Sequence, residues 1–255
     1  MERQYKAGMI SVIMPSYNAA KYVEHALNSV FEQTYHDIEI VIVDDHSSDC
    51  TPELIQKYAD IHPEICFIPL EKNMGAGYAR NKALELAEGQ YVAFLDCDDE
   101  WMPDKLERQL KCMKENETSF CYTAIEMIDE TGKIIKGKRK VKTTCDYNDL
   151  LHNTMIATSS VVVDRKAAGD FRMHLRRGGQ DYATWLKLLR NGTVACGINE
   201  VLVRYRVTSN SLSSNKLASI RQVWEIQTQD EKIHRVPAAF HVCCFVVNAL
   251  KKYFI

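Results

Sequence analysis

Three carboxylates within four residues, Asp96-Cys97-Asp98-Asp99, follow an apolar run in the middle of the chain. The run Tyr91–Leu95 is typical of a buried strand, so the carboxylates are expected in the crevice at its end. Such hard oxygen ligands bind Mg²⁺ or Mn²⁺, usually together with substrate phosphates and water. A calcium loop is disfavoured, because its D-x-D-x-D-G spacing is absent. We therefore predict a Mn²⁺ or Mg²⁺ site at this junction.

Two earlier apolar segments also end in polar residues that suit ligand binding. Ile10–Met14 is followed by Pro15-Ser16-Tyr17-Asn18, and Ile38–Val43 is followed by Asp44-Asp45. Between the predicted strands, apolar residues recur at helical spacing, and one of the helices that this predicts runs from Thr51 to about Ile61. Strands that alternate with helices indicate βαβ units and a mainly parallel sheet, whose ligands bind outside the carboxyl ends of the strands. We expect the polar clusters to meet at one edge of this sheet.

Two helix starts are predicted from capping residues. Asn18 is placed near the cap of the first helix, and Thr51, followed by Pro52, is placed as the cap of the second. The other predicted strands are Cys66–Leu70, Phe120–Ile128, Ile134–Ile135, Ser159–Val163 and Val201–Tyr205. Further helices are expected from about Gly77 to Gly89, from Pro103 to about Met113, from Asp181, and from Lys216 onward.

The bulk properties limit the classes of protein to which this chain can belong. Its 255 residues fit one large α/β domain, or one domain with an appendage. The 32 basic and 34 acidic residues nearly balance, so no global field favours nucleic acid as a partner. Nine cysteines without C-x-x-C spacing indicate free thiols in a reducing, cytoplasmic compartment. No secretory signal and no apolar stretch of ~18 to 20 residues is found, so no membrane span is predicted.

Five polar motifs occur in order along the chain, at Val12–Asn18, Val43–Ser47, Asn73–Asn81, Asp96–Asp99 and Gly179–Tyr182. Together they resemble the motifs of family 2 glycosyltransferases, the large inverting group with the GT-A nucleotide-sugar fold. The match covers about residues 8 to 215, and Tyr205-Arg206 with Ser209–Ser213 is similar to the family's closing loop. The resemblance implies a mixed, mainly parallel α/β sheet flanked by helices. It also implies a catalytic domain over residues 1–215 and a C-terminal helical segment over residues 216–255.

The resemblance implies a nucleotide site made from four of these motifs. Its members are Pro15, Tyr17, Asn18, Asp44, Asp45, Gly75, Arg80 and Asp96. Pro15 and Tyr17 are expected to wall the base pocket, while Asp44 and Asp45 offer acceptors to a uracil N–H or to ribose hydroxyls. A turn or capping acid before the next helix is the alternative for Asp45. Glycines at a helix start permit the close approach of a diphosphate, and Arg80 supplies an opposite charge one turn further on.

The resemblance assigns Asp98 to the metal and Asp181 to the general base. Inversion by direct displacement needs one carboxylate to take the acceptor hydroxyl's proton while the nucleoside diphosphate leaves from the opposite face. The metal neutralises charge on that leaving group. Family members often carry Glu-Asp where this chain has Gln180-Asp181, so a charge that could tune the base is absent. The alternative is that Asp181 only caps its helix.

Four further side chains are given roles that stay open. Asp99 and Gln180 are placed near the donor or acceptor sugar. The alternatives for Asp99 are that it supports the site or that it only begins a turn. Trp101 either stacks on a sugar or packs behind the metal loop. Arg206 is a candidate diphosphate contact.

The C-terminal stretch Val236–Leu250 is strongly apolar and precedes the basic tail Lys251–Ile255. It is either a helix packed on the catalytic domain or a helix in a membrane interface with its lysines on headgroups. Residues 133–142 hold six basic side chains, which indicate a solvated loop or a contact with an anionic acceptor or lipid surface. Peripheral contact with the inner face of the cytoplasmic membrane is favoured, because many bacterial members of the family use polyprenyl-diphosphate-linked acceptors.

The implied reaction moves a sugar from a UDP-hexose or UDP-N-acetylhexosamine donor to a hydroxyl of a saccharide or polyprenyl-diphosphate-linked acceptor. It forms a β-linkage in bacterial surface polysaccharide or lipopolysaccharide synthesis. Two rival classes are a sugar-nucleotide nucleotidyltransferase and a non-catalytic nucleotide-sugar-binding module. The first is disfavoured because Pro15–Asn18 stands where a Gly-rich basic loop is expected. Intact Arg80, Asp98 and Asp181 weigh against the second.

Overall fold

The computed structural model describes residues 4–176, 178–208 and 216–254, within which ten strands form one mixed sheet. The strands are β1 (Lys6–Ser16), β2 (Ile38–Asp44), β3 (Ile65–Pro69), β4 (Gly89–Phe94), β5 (Glu100–Trp101), β6 (Phe120–Ile128), β7 (Ile134–Arg139), β8 (Thr144–Cys145), β9 (Val162–Asp164) and β10 (Ala195–Arg206). Their order is β3-β2-β1-β4-β9-β6-β10-β5, with β7 paired to β6 and β8 to β10. Strands β1 to β4 are parallel, whereas β9 is antiparallel to both β4 and β6.

The central strands are buried on both faces, which explains why their sequences are continuous apolar runs. Along β2, Ile40 and Ile42 belong to one hydrophobic core, whereas Val41 and Val43 belong to the other. Side chains alternate between the two faces of a strand, so each face needs its own covering layer. The sheet therefore lies between two layers of helices.

Nine α-helices within the described ranges supply these layers and the C-terminal segment. They are α1 (Val23–Phe31), α2 (Thr51–Ile61), α3 (Ala76–Leu86), α4 (Lys105–Glu115), α5 (Tyr147–His152), α6 (Arg165–Ala168), α7 (Gln180–Leu189), α8 (Lys216–Glu225) and α9 (Arg235–Phe254). Helices α1, α2 and α4 cover one face, whereas α3, α5 and α7 cover the other. A 3₁₀ turn at Thr158–Ser160 and a π-helical turn at Ile226–Asp230 complete the set.

The C-terminal helices pack on the α3–α7 side of the sheet. Ala238 and Phe245 of α9 are buried, and Phe245 belongs to the core that α7 helps to form. A second face of α9 is open, with Val236, Phe240 and Val247 all exposed. None of the described helices combines the length and the apolar character that crossing a bilayer requires.

Three local predictions are wrong in detail. Asn18 does not cap α1, which begins at Val23; instead its side chain accepts a hydrogen bond from the Ser48 amide at 2.8 Å. Thr51 is the first helical residue of α2, and its hydroxyl accepts from the Ala19 amide. The strand expected from Ser159 begins only at Val162, because Thr158–Ser160 form a 3₁₀ turn in which the Ser160 hydroxyl donates to the Ala157 carbonyl oxygen. The predicted closing loop at 209–213 lies outside the described residues.

Candidate active site

Polar side chains from several elements meet at one edge of the sheet. The parallel strands β1, β2 and β4 end there, at Ser16, Asp44 and the Asp96–Asp99 turn. Because β9 is antiparallel to β4, the turn Thr158–Ser160 that precedes β9 lies at the same edge. The expected convergence at the carboxyl ends is thus present, and an antiparallel strand contributes to it.

Asp44 and Asp45 are buried, and both carboxylates have partners inside the protein. Asp44 accepts from the Ser16 hydroxyl at 2.6 Å and from the amide and hydroxyl of Ser47. Asp45 accepts from the amides of Met74 and Gly75 at 2.6 and 2.7 Å. These two acids therefore hold the walls of the crevice together, so their predicted contacts with uracil or ribose have no support in this arrangement. Asp49, rather than Asp45, bonds the start of α2.

The exposed wall of this crevice is formed by the Pro15–Asn18 turn. Tyr17 is 54 % exposed, and Pro15 is half-buried beside it. Asn18 adopts a φ of 50°, and its backbone amide donates a hydrogen bond to the Ser47 hydroxyl oxygen at 2.8 Å. The Tyr17 ring is thus exposed beside the crevice, and its contact with a base stays a prediction.

Two glycines let α3 begin close to α7. Gly75 has a φ of +88°, which an L side chain rarely adopts. A Cβ at Gly77 would lie 2.9 Å from Gln180 Oε1 and 3.1 Å from the His174 carbonyl oxygen. The Gln180 side chain is the reason for this tight fit, and its Nε2 donates to the Arg176 carbonyl oxygen at 2.5 Å. Gln180 therefore joins the two helix starts.

Arg80 is the cation at the centre of the acidic cluster. It forms an ion pair with Asp96, and its NH1 is 3.4 Å from Gln180 Oε1. Burial opposes the charge of this guanidinium, yet Asp96 raises its pKa, with further contributions from Asp181 and Asp98. Its Nε is buried without a hydrogen-bond partner among the described residues. Arg80 thus brings together the metal loop and the predicted base.

Asp98 and Asp99 have different surroundings although they are adjacent. Burial, followed by the charge of Asp96, raises the pKa of Asp98 to about 6. No other described residue donates a hydrogen bond to the Asp98 carboxylate. Asp99 is fully buried, and accepts from the Ser159 hydroxyl at 2.5 Å and the Arg206 amide at 2.8 Å. Burial raises the pKa of Asp99 well above its ordinary value. Asp99 therefore supports the loop and does not face a sugar.

Arg206 points into the protein and not into the crevice. Its Nε donates to the Asp98 carbonyl oxygen at 2.8 Å and its NH1 donates to the Asp129 carbonyl oxygen at 2.9 Å. It also forms an ion pair with Glu100. The predicted diphosphate contact is wrong for this geometry, because the guanidinium is buried and fully engaged in holding the acidic turn.

Trp101 also packs behind the turn. It is buried, and its indole Nε1 donates to the Ser159 carbonyl oxygen at 2.8 Å. The Nζ of the buried Lys105 lies 3.8 Å from the centre of the ring. Stacking of Trp101 on a sugar is therefore wrong, and the packing alternative is correct.

Asp181 lies in the first turn of α7, which is capped by Gly179. Its Oδ1 accepts from the Tyr182 amide at 2.8 Å, and its Oδ2 accepts from the Thr158 hydroxyl at 3.3 Å. A carboxylate is favoured at a helix N-terminus by the helix dipole. The second contact leaves Oδ2 with spare accepting capacity, which a proton acceptor requires.

Three residues near this cluster were not assigned roles from the sequence. Ser159 bridges the acids, donating to Asp99 and accepting from the Asp96 amide at 3.2 Å. The Thr158 hydroxyl contacts the candidate base Asp181. Tyr205 lies near the acids, and burial together with their charges raises the pKa of its hydroxyl. The signal in the sequence is a run of hydroxyl side chains before an apolar strand. It could not be used without knowing that this strand is antiparallel.

The acidic turn fits a divalent cation. Asp98 offers a carboxylate that burial leaves poorly solvated and that no described side chain neutralises by direct contact. Hard oxygen donors of this type suit Mg²⁺ or Mn²⁺, which complete their coordination with substrate oxygens and water. Asp98 would hold the metal, whereas Asp96 is engaged by Arg80 and Asp99 by Ser159.

The mixed sheet thus carries an acidic site with a buried arginine at the carboxyl ends of its parallel strands. Residues 11–172 match the model of glycosyl transferase family 2. The chain belongs to this family and is a glycosyltransferase.

Two curated relatives match nearly the whole chain. The putative teichuronic acid biosynthesis glycosyltransferase TuaG of Bacillus subtilis is 41% identical, over 96% of this chain and 97% of that protein. The UDP-Glc:alpha-D-GlcNAc-diphosphoundecaprenol beta-1,3-glucosyltransferase WfgD of Escherichia coli is 34% identical, over 96% of this chain and 95% of that protein.

Two solved structures share the fold. S. aureus TarS in complex with UDP-GlcNAc superposes with a TM-score of 0.71 at 20% identity, over 93% of this chain and 71% of that chain. The mannosyltransferase PcManGT from Pyrobaculum calidifontis, in complex with GDP-Man and Mn²⁺, superposes with a TM-score of 0.69 at 20% identity, over 91% of this chain and 69% of that chain. The predicted family and the GT-A type of α/β fold are confirmed.

Proposed function

We propose that this glycosyltransferase transfers a sugar from a UDP-sugar to a hydroxyl of a polyprenyl-diphosphate-linked saccharide, with inversion at the anomeric carbon. The supporting observation is the convergence of Asp96, Asp98 and Asp181 on the buried Arg80. In this proposal Asp98 is the metal-binding carboxylate and Asp181 is the base, and both belong to one acidic centre. In this proposal, residues 1–215 carry the donor site and residues 216–255 form the helical segment beside it.

The proposed chemistry divides between the two carboxylates. Asp181 Oδ2 takes the proton of the acceptor hydroxyl, whose oxygen forms a bond to the anomeric carbon. The bond from that carbon to the diphosphate oxygen breaks on the opposite face, and the electron pair leaves with UDP. A Mn²⁺ or Mg²⁺ ion at Asp98 supplies charge neutralisation to the diphosphate when it is bound. Arg80 orients Asp96 and holds the loop that carries Asp98.

The substrate assignment rests on relatives that cover the whole chain. WfgD and WfaP are both UDP-Glc:alpha-D-GlcNAc-diphosphoundecaprenol beta-1,3-glucosyltransferases, at 34% and 33% identity. They support a UDP-hexose donor, a lipid-linked N-acetylhexosamine acceptor and a β-linked product. TuaG supports a cell-surface polysaccharide as the eventual product. The exposed apolar face of α9 fits peripheral contact with the membrane that carries such an acceptor.

The test is a product assay with UDP-glucose and UDP-N-acetylglucosamine, a synthetic GlcNAc-diphospho-lipid, and Mn²⁺, Mg²⁺ or chelator. We expect UDP release and a β-linked disaccharide lipid that depend on the metal and on the acceptor. Formation of pyrophosphate or sugar 1-phosphate would indicate the nucleotidyltransferase alternative. Donor binding without turnover for any sugar nucleotide would indicate a binding module.

A further inference from the structure

Three cysteine thiols converge at the end of the sheet that lies opposite the acidic turn. Cys112 lies on α4, and Cys121 and Cys196 are register partners on the parallel strands β6 and β10. Their Sγ atoms all lie within 4.8 Å of one another. Cys196 precedes Arg206 by ten residues of one strand, which is on the order of 30 Å. The thiol group is therefore separate from the glycosyl-transfer site.

The three sulfurs differ in their exposure to solvent. Cys121 and Cys196 are buried, whereas Cys112 is only partly buried. The Cys121 thiol also makes a weak contact with the Tyr122 carbonyl oxygen at 3.9 Å. Asn116 adds a weak contact, with its Nδ2 3.7 Å from the Cys112 sulfur.

A buried amine lies on the same face of α4. Lys105 precedes Cys112 by two helical turns and is fully buried, and its Nζ has no hydrogen-bond partner among the described residues. Burial lowers the pKa of Lys105 far below its ordinary value, and the charge of an ionised Cys121 would act in the opposite direction. An anionic thiolate complex at this position would therefore favour the charged form of the amine.

We propose that Cys112, Cys121 and Cys196 form a three-coordinate site for a soft, thiolate-binding d¹⁰ cation, and that Cu(I) is the ion it fits. Thiolates select Cu(I) and Zn²⁺ over hard cations. Structural zinc sites take four protein ligands, and no fourth His, Cys, Asp or Glu joins this group within the described residues. Metal–sulfur bonds of about 2.3 Å in a trigonal complex set the sulfurs about 4 Å apart. A small contraction of the present triangle reaches that geometry.

Binding links α4 to β6 and β10, two strands that are already joined by backbone hydrogen bonds, while α4 is joined to β10 by the Arg108–Glu200 ion pair. The ion binds the three sulfurs as thiolates, and the thiol protons that it displaces pass to solvent. Cys112 is only partly buried, so it provides the route of entry. An ion that binds the folded state alone raises the unfolding temperature.

The test is a Cu(I) titration of the reduced full-length chain against bathocuproine disulfonate, with Zn²⁺ and Co²⁺ in parallel. We expect one equivalent of Cu(I) to be held, with release of protons and a rise in unfolding temperature. Cys112→Ser should lose this equivalent and the thermal shift, while its circular dichroism and glycosyl transfer stay unchanged. The matched controls Cys66→Ser and Cys243→Ser alter exposed cysteines elsewhere and should retain both.

Three outcomes would overturn the proposal. The first is Cu(I) binding that is equal in the parent protein and in Cys112→Ser. The second is a loss of binding that is as large in the controls as in Cys112→Ser. The third is preference for Zn²⁺ with a tetrahedral Co²⁺ spectrum, which indicates a fourth ligand. Because none of these readouts uses sugar transfer, failure of this proposal is distinct from failure of the proposed function.

Discussion

Among the carboxylates of the acidic turn, Asp98 differs in lacking a cationic or hydrogen-bonding side chain in direct contact among the described residues. The rise of its pKa from 3.8 to about 6 corresponds to about 3 kcal/mol at about 1.4 kcal/mol per pKa unit. The ionised group opposes folding, because the native state holds its proton more tightly than the unfolded state does. This cost is absent below about pH 4, grows through the window between the two pKa values, and is complete above about pH 6.

We therefore expect Asp98→Asn to stabilise the metal-free protein by about 1 to 3 kcal/mol at pH 8 while abolishing metal-dependent transfer. Urea unfolding at pH 8 and near pH 4 measures the change in the free energy of unfolding. This stabilisation should vanish at the lower pH. Asp60→Asn, which removes an exposed carboxylate on α2, is the control and should change neither quantity. A destabilised Asp98→Asn protein at pH 8 would contradict the account of this group.

Asp181 is expected to act in the chemical step and not in donor binding. Asp181→Asn preserves the size of the side chain and the contact with the Tyr182 amide, but it removes a proton acceptor. We expect turnover to fall by roughly 10²- to 10⁴-fold with the UDP-sugar affinity retained. Steady-state kinetics and donor titration by calorimetry separate the two quantities. Asp170→Asn, an exposed site paired with Arg172, serves as the control. Near-normal turnover would remove Asp181 from the mechanism.

At the scale of single residues, the sequence indicates which residues belong to the region of the site better than it indicates where their side chains point. The positions of Asp98 and Asp181 follow from strand-end and helix-start patterns, which are local. The burial of Asp44, Trp101 and Arg206 depends on contacts with residues distant in the chain, such as the bond from the Arg206 amide to Asp99. No local pattern reveals such contacts, so the sequence predicts ligand contacts for Asp44 and Arg206 and leaves both roles of Trp101 open, although all three side chains are buried.

At the scale of elements, the approach of α3 to α7 sets the distance between Arg80 and Asp181. Gly77 controls that approach, because a Cβ there would meet a backbone carbonyl oxygen at 3.1 Å as well as Gln180. Overpacking of this kind costs about 1 to 3 kcal/mol and displaces helix starts. The displacement would separate the acidic turn from the base.

We expect Gly77→Ala to lower kcat/KM by roughly 10- to 100-fold, since small misplacements of reacting groups are costly. The matched control is Gly137→Ala on β7, where a Cβ meets nothing within 4 Å. Both variants should show parent-like circular dichroism. Equal activity of the two variants would show that the contact between α3 and α7 is not limiting.

The direction of β9 is the element-scale feature that the sequence could not give. The apolar run Val161–Val163 fits a parallel and an antiparallel strand equally well, because a strand of either direction would be buried at this position. Only the pairing of β9 with β4 shows that Thr158 and Ser159 lie at the active edge. The alternation of strands and helices over the first hundred residues, by contrast, follows from periodicity.

At the scale of the molecule, α9 has two faces with different roles. Phe245 and Ala238 join the core, whereas Val236, Phe240 and Val247 form an exposed apolar stripe at spacings of four and seven residues. Arg176, close before α7, donates to both carboxylate oxygens of Asp230 at 2.9 and 2.7 Å, which ties the C-terminal segment to the region of the base. Removing the whole segment would therefore disturb the fold, so substitutions on the exposed stripe are the cleaner test.

We expect Phe240→Glu with Val247→Glu to reduce binding to phosphatidylglycerol vesicles by roughly tenfold or more, because burial of each large apolar side chain contributes about 1.5 to 3 kcal/mol. Co-sedimentation measures the bound fraction, and transfer to a short-chain, water-soluble acceptor should be unchanged. Ile61→Glu, at another exposed apolar position, on α2, is the control and should bind as the parent does. Phe245→Ala should lower the unfolding temperature, because it opens a cavity in the core. Vesicle binding that survives the double substitution would assign the stripe no part in membrane contact.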